Sequence, residues 1–245
     1  MSATPTAHAT APTQFSCRSQ LYRRHVIAGA RFEEVASSAV VADYGDAGGE
    51  VQQARRLALT DLSTLTRTGF KGGGAPDWLE AQAVRLPNVA NQAVRQADGS
   101  LVARLSNNEL LVLSDLHSDA TLPTTLQDKW SLGSTERAYG LPRRDSHCWF
   151  ALSGENAATT LSKVCGVDLR AHKFAKHEIA QTSLARVNAI ILRNDLAVTL
   201  CYYILSDVSS AEYLWDALLD AMVEFQGSPV GIAALRTLEA EPGCS

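Results

Sequence analysis

The chain has 245 residues, 46% of them hydrophobic, with a mean hydropathy of −0.06. That suits a soluble globular protein of one large or two small domains, whose core needs no staples. Twenty-two basic against 26 acidic side chains leave a formal charge of −4. This gives no steering toward nucleic acid or an anionic membrane, and no apolar run nears the roughly 18–20 residues of a spanning helix.

Residues 1–16 contain Ala, Thr, Ser and Pro but no charged side chain, so they cannot build a core and read as disordered. Arg18, Arg23, Arg24 and Arg31 precede the first acid, Glu33, a pattern faintly like an organelle transit peptide. A flexible N-terminal segment over 1–49 is the simpler expectation, and the protein is expected to be cytoplasmic. Its five cysteines (Cys17, Cys148, Cys165, Cys201, Cys244) are scattered and lack C-x-x-C. They argue against a disulfide framework and a zinc site, and for buried thiols in a reducing compartment.

A first α+β unit is expected over 50–130. Leu57 to Leu59 and Leu65 to Phe70 read as apolar pieces on either side of Asp61-Leu62-Ser63. Gly72-Gly73-Gly74 follows. A triple glycine after a strand could cradle a phosphate, yet it matches neither G-x-G-x-x-G nor a P-loop. A tight strand-to-helix turn with Pro76 at the first helical position is the favoured reading. Residues 101–115 (LVARLSNNELLVLSD) then form two apolar runs about the polar turn Asn107-Asn108. Asp119 to Trp130 reads as a weak helix. The Gly-, Ser-, Pro- and Arg-rich stretch 131–146 reads as a linker.

A second unit, expected over 147–238, repeats the first. His147 to Leu152 is a strand, Ala157 to Cys165 a helix ended by Gly166, and a strand is predicted from Ile179 to Leu192, crossing Arg186 and Asn188. The polar turn Asn194-Asp195 and the apolar run closing on Leu205-Ser206-Asp207 match the end of 101–115. In 209–225, Leu214, Ala217, Leu218, Ala221, Met222 and Phe225 form one apolar stripe, stopped by Gly227 and Pro229. Residues 239–245 read as a tail. Self-similarity at this scale signals two copies of one supersecondary unit. The expected fold class is α+β, two pseudo-repeated units with helices packed on mostly antiparallel sheets.

Little chemistry stands out. His147 adjoins Cys148, but adjacent strand residues face opposite ways and rarely make a nucleophile–base pair. His172 and His177 are five apart, not the i, i+4 pair of a helical metal site, and His8 and His25 fall in the N-terminal segment. Arg143-Arg144-Asp145 reads as a solvated knot or a subunit contact. Trp78, Trp130, Trp149 and Trp215 take core-like or interface-like positions. No Rossmann fingerprint is visible, so the chain is not expected to hold FAD or NAD. No catalytic or metal-binding residue is assigned.

The run LTDLSTLTRTGFKG (59–72) resembles the opening of the folate-binding aminomethyltransferase (glycine-cleavage T-protein-like) superfamily. DGSLVARL (98–105) lies where that superfamily has a Gly-Gly-x-x-Asp-Asp-Leu strand. LARVNAIILRND (184–195) and SSAEYLWDALLDAM (209–222) look most like the gamma subunit of heterotetrameric sarcosine oxidase and related N-methyl amino acid dehydrogenase complexes. The likeness covers roughly residues 50–238. It implies an aminomethyltransferase-like fold, in which a carboxylate at the Asp-Asp position organises one-carbon transfer on tetrahydrofolate. Here those positions are Ala103 and Arg104. The superfamily's Arg-Thr-Gly-Tyr-Thr-Gly-Glu loop is reduced to Arg186-Val187-Asn188-Ala189, leaving Arg186 as a vestigial folate-side position. Arg186 or Arg193 is expected at an anion or interface site, and Arg186 is alternatively expected to pair with Asp61.

The resemblance therefore implies a non-catalytic subunit serving sarcosine catabolism. FAD, FMN, NAD and tetrahydrofolate would be bound by alpha, beta and delta partner subunits. An autonomous folate-binding protein or degenerate aminomethyltransferase is the alternative, and an unrelated two-copy binding module a third.

Overall fold

The computed structural model describes residues 11–133 and 137–242. A short parallel strand β1 (Cys17–Arg18) and helix α1 (Tyr22–Ile27) lead into the hairpin β2 (Arg31–Val35) and β3 (Ser38–Asp43). These three strands form a small sheet of order β1-β3-β2. The sequence reading of a flexible segment through residue 49 is corrected here. Leu21, Val35, Val40 and Val41 are buried, and His25 is 2% exposed. Its physical cause is a cluster of partners that arrive from later in the chain, described below. His8 lies outside the described residues.

Helix α2 (Ala47–Arg56) is capped by Asp46, which accepts from the Gly49 amide at 3.0 Å. Strand β4 (Ala58–Asp61) and strand β5 (Arg67–Lys71) follow, then α3 (Ala75–Ala81), β6 (Gln92–Arg95), β7 (Leu101–Ser106), β8 (Glu109–Leu113) and α4 (Leu122–Lys129). Next come β9 (Tyr139–Leu141) and the single turn α5 (Arg143–Ser146). The stretch read as a linker thus carries an edge strand, because β9 pairs antiparallel with β5. The rest of the fold is β10 (His147–Ser153), α6 (Ala157–Ser162), β11 (Ile179–Leu184), β12 (Val187–Arg193), β13 (Cys201–Asp207), α7 (Ala211–Met222), β14 (Ser228–Pro229) and α8 (Ile232–Glu239).

Two sheets dominate, of order β6-β7-β8-β5-β9 and β11-β12-β13-β10-β4-β14. Their first four strands have the same order relative to the chain, so the two units are topological copies. The copies agree in detail. At each strand-to-helix turn stands a glycine with positive φ, Gly72 at 124° and Gly154 at 111°. Each donates its amide at 2.8 Å to a carbonyl at the turn between the third and fourth strands of its unit, Asn108 or Leu200. A Cβ at Gly72 would lie 2.0 Å from the Arg137 carbonyl, and one at Gly154 2.5 Å from that of Arg56. Backbone contact explains this glycine without any phosphate.

Strand β4 lies in the sheet of the second unit, so the chain changes sheets between β4 and β5. Along β10, Trp149 and Ala151 face a core shared by both sheets, while Phe150 and Leu152 face α6 and α7. The same alternation runs through Tyr203 and Leu205 against Tyr202 and Ile204 on β13. The five-stranded sheet buries its other face under α3 and α4, through Phe70, Trp78, Leu79 and Leu126. Strands buried on both faces explain the nearly continuous apolar runs of the sequence. At one edge β6 and β11 stitch the two sheets together, Ala93 N–H to His177 O at 2.8 Å and Ile179 N–H to Asn91 O at 2.9 Å.

Arg67 is fully buried and meets no carboxylate among the described residues. Its five N–H donors go to main-chain carbonyls: Nε to Arg143 at 3.1 Å, Nη1 to Ser63 and Leu65 at 3.0 and 3.1 Å, and Nη2 to Arg144 at 2.8 Å and to His147. Burial pulls its guanidinium down to about 10, against Coulombic support from Cys148 and Asp61. In the charged knot at 143–145 both arginines are half-buried and tied into the fold, while Asp145 is exposed. Arg143 pairs with Glu109, and Arg144 donates to Ser38 Oγ at 2.6 Å.

Arg67→Met leaves these buried carbonyls without donors and should destabilise the protein by about 3 kcal/mol or more. For a chain of this size that lowers Tm by roughly 6–12 °C. Arg67→Lys keeps the charge with only three donors and should restore part of the loss. Thermal unfolding followed by tryptophan fluorescence measures both. A neutral Arg67→Met would contradict this role.

Candidate functional site

A concavity of about 810 Å³ opens on the six-stranded sheet where the shared core meets solvent. Gln181 and Ser183 of β11, Asn188 and Ile190 of β12, Leu205 and Asp207 of β13, and His147 of β10 line it. Gln181 bridges to the other sheet, donating Nε2 to Leu105 O at 2.6 Å and to Asn91 Oδ1 at 2.7 Å.

His147 and Asp207 stand directly opposite across β10 and β13. This is the nearest approach to an acid–base pair in the groove. Burial, then the charges of Arg143 and Arg67, hold the imidazole down to about 4. Its Nδ1 contacts Ser146 Oγ at 2.8 Å, and its Nε2 faces Arg143 at 3.5 Å. Asp207 is turned the other way, accepting from Ser209 N–H at 2.8 Å and Ser209 Oγ at 2.6 Å, which holds its carboxyl below the usual range. A neutral imidazole beside an arginine and a carboxylate spent on a turn do not make a proton relay. Cys148 is no nucleophile either, because burial pushes its thiol up to about 12 while it leans on Ser206 O at 3.5 Å.

The structure corrects the reading of residues 179–192 as one strand. Leu184 pairs with Val187, so Ala185 and Arg186 form a two-residue hairpin loop with φ of 47° and 69°. That loop type favours Asn-Gly, and each L-residue in it costs roughly 1–2 kcal/mol. The contacts that hold it are clear: Ala185 N–H donates to Val164 O at 2.8 Å, and Ala185 O accepts from the Tyr213 hydroxyl at 2.9 Å. The Ala36-Ser37 loop between β2 and β3 has the same signs of φ, with two small side chains. Here the loop lifts an exposed arginine onto the ridge between the main groove and a second of about 460 Å³.

Arg186 does not pair with Asp61. Asp61 is buried, accepting from Ser19 Oγ, from the Ser63 amide at 2.9 Å, and facing His25 Nε2 at 3.0 Å. The Tyr44 hydroxyl completes the cluster at 2.8 Å from His25 Nδ1. Burial works against ionisation of Asp61, and His25 with both serines outweighs it, so its carboxyl lies below the usual range. This cluster holds α1 in place. Sequence reasoning missed it because 36 residues separate His25 from Asp61. The groove pair His147–Asp207 was likewise hidden, since only strand register brings the two together.

The other watched positions are structural. Arg193 binds Asp195 through Nε at 3.0 Å and Nη2 at 2.7 Å, and reaches the Ala171 and Phe174 carbonyls. At the positions where the resemblance implies carboxylates, Ala103 is buried in the shared core. Arg104 donates to the carbonyls of Pro87 at 2.9 Å and Asn107 at 3.3 Å. These side chains do not fit the folate-directed role. Among the described residues no group of three or more His, Cys, Asp or Glu is placed to hold a metal, and no helix is long and apolar enough to cross a membrane.

The GCVT N-terminal domain model matches residues 21–245. No curated protein matches the sequence. Among solved structures, the glycine cleavage system aminomethyltransferase T from Bartonella henselae aligns with a TM-score of 0.70 and 19% identity, over 91% of this chain and 61% of that one. This chain thus spans about three fifths of that protein's length. A chain of the heterotetrameric sarcosine oxidase from Corynebacterium sp. U-96 aligns with a TM-score of 0.59 and 25% identity, over 74% of this chain and 93% of that one.

His147 gives the groove a measurable signature. The unfolded imidazole takes its proton near pH 6.5 and the folded one only near 4. Between those values the unfolded chain binds more protons, so stability falls as pH drops, by up to about 1.4 kcal/mol per pH unit from this group. Urea midpoints at pH 7 and 4.5 should move further in the wild type than in His147→Gln. Equal shifts would show that His147 is not held neutral.

Proposed function

We propose that this chain, which belongs to the GCVT N-terminal domain family, is a non-catalytic, gamma-type subunit of a sarcosine-oxidase-like complex. The observation that carries the reading is the pattern of coverage. The chain corresponds to 93% of a chain from a heterotetrameric enzyme but to only 61% of the aminomethyltransferase. The likeness to nearly the whole of one chain of a heterotetrameric enzyme, over 74% of this chain, favours a subunit role.

The geometry supports the absence of chemistry of its own. Alanine and a carbonyl-bound arginine stand where a folate-directed carboxylate is implied, and neither supplies acid–base or electrostatic catalysis. The same residues weigh against the alternative of an autonomous folate-binding protein or degenerate transferase. In this reading FAD, FMN, NAD and tetrahydrofolate are held by alpha, beta and delta partners, in the cytoplasm. The complex oxidatively demethylates sarcosine or a related N-methyl amino acid. Arg186 keeps a vestigial folate-side position without a ligand to serve.

Co-expression with the flavoprotein and large-subunit genes of such a system, followed by size exclusion and native mass measurement, tests the reading. A stoichiometric complex containing this chain is expected. A stable monomer that never associates would overturn it.

A further inference from the structure

Three concavities run together on one side of the second unit. The main groove shares Arg186 with the second, of about 460 Å³, and the second shares Ser162, Cys165 and Gly166 with a third of about 560 Å³. The result is a trench that passes the end of α6, crosses the 185–186 loop and continues over the sheet. Val164, Val167, Val187 and Ile190 are partly buried along it and give it apolar footing. A compact small molecule would occupy one concavity, whereas an extended polypeptide spans all three.

The charges are distributed unevenly. Of the basic residues along the trench, Lys163 is paired with Glu224 at 3.1 Å and Arg170 with Asp168 at 2.6 Å. Arg186 has no hydrogen bond or ion pair among the described residues, although it is lifted onto the ridge by a loop that disfavours its residue type. Asp207 is turned toward Ser209, and Asp220 of α7 stands on the wall of the second concavity. Among the described residues the trench therefore offers one free cation at its middle and one acid to its side.

We infer that this trench is the docking surface for an extended segment of a partner subunit, with a carboxylate of that segment on Arg186. The inference rests on the subunit reading above. A segment with an acidic residue at the ridge, apolar residues on either side and no acid toward Asp220 matches both the charge and the footing. Backbone shape set by the Ala185 contacts means the guanidinium is presented before the partner arrives, which lowers the ordering needed on association.

The test uses the co-expressed complex. Arg186→Glu should speed dissociation of this chain roughly tenfold or more, and more steeply at low salt. Arg186→Gly removes the cation while relieving the loop, so it should weaken association without lowering Tm. Hydrogen exchange in the wild-type complex should be slowed over 162–170 and 185–190. Wild-type dissociation rates in both variants, or protection confined to other segments, would overturn the inference while leaving the subunit reading intact. Failure of the wild-type chain to associate would remove the subunit reading and this inference with it.

Discussion

The fold turns on a geometric difficulty that Arg67 resolves. The chain leaves one sheet at β4 and enters the other at β5 through Leu62 to Thr66, and it returns from β9 to β10 through α5. The first crossing is buried, the second is half-buried at Arg143, Arg144 and Ser146, and carbonyls within both belong to neither ladder. Unpaired, each would weigh against folding. One guanidinium set between the crossings accepts this task for carbonyls of both. Its planar fork of five donors suits it where lysine would not. The two units are thereby tied at the point where the chain passes between them.

Around that tie the sequence was legible wherever a local pattern determined structure. The repeated apolar runs, the glycine at each strand-to-helix turn and the stripe on α7 are short-range signals, and they gave the α+β class and the internal duplication. The match of Gly72 with Gly154, down to the carbonyl each donates to, shows why such an echo persists: a side chain there would strike backbone. What the sequence hid depended on distant partners. Tyr22 to Ile27 reads as a basic, unremarkable lead-in until Asp61, Tyr44 and Trp215 surround His25. Arg186 was misplaced for a different reason. Ala-Arg lacks the Asn-Gly signature of a two-residue loop, so two strands read as one.

On the proposed reading, the same separation explains how the molecule can resemble an enzyme family without its chemistry. Architecture here is carried by apolar alternation and by carbonyl satisfaction, neither of which needs the carboxylates of a transferase. Ala103 fits the shared core as a small apolar residue, and Arg104 ties the ends of β7 to a loop. Replacing acids at those positions disturbs a site and spares a scaffold. The scaffold then offers surfaces, among them the trench crossed by the Ala185-Arg186 loop, whose guanidinium has no partner among the described residues.

The central claim is that the scaffold is retained while the folate chemistry of the family is absent from this chain. Calorimetric titration of the purified protein with tetrahydrofolate addresses it most directly. The account predicts no saturable heat at ligand concentrations into the high micromolar range. Stoichiometric binding that disappears in Arg186→Ala would contradict it, and would return the chain to the folate-binding proteins its architecture resembles.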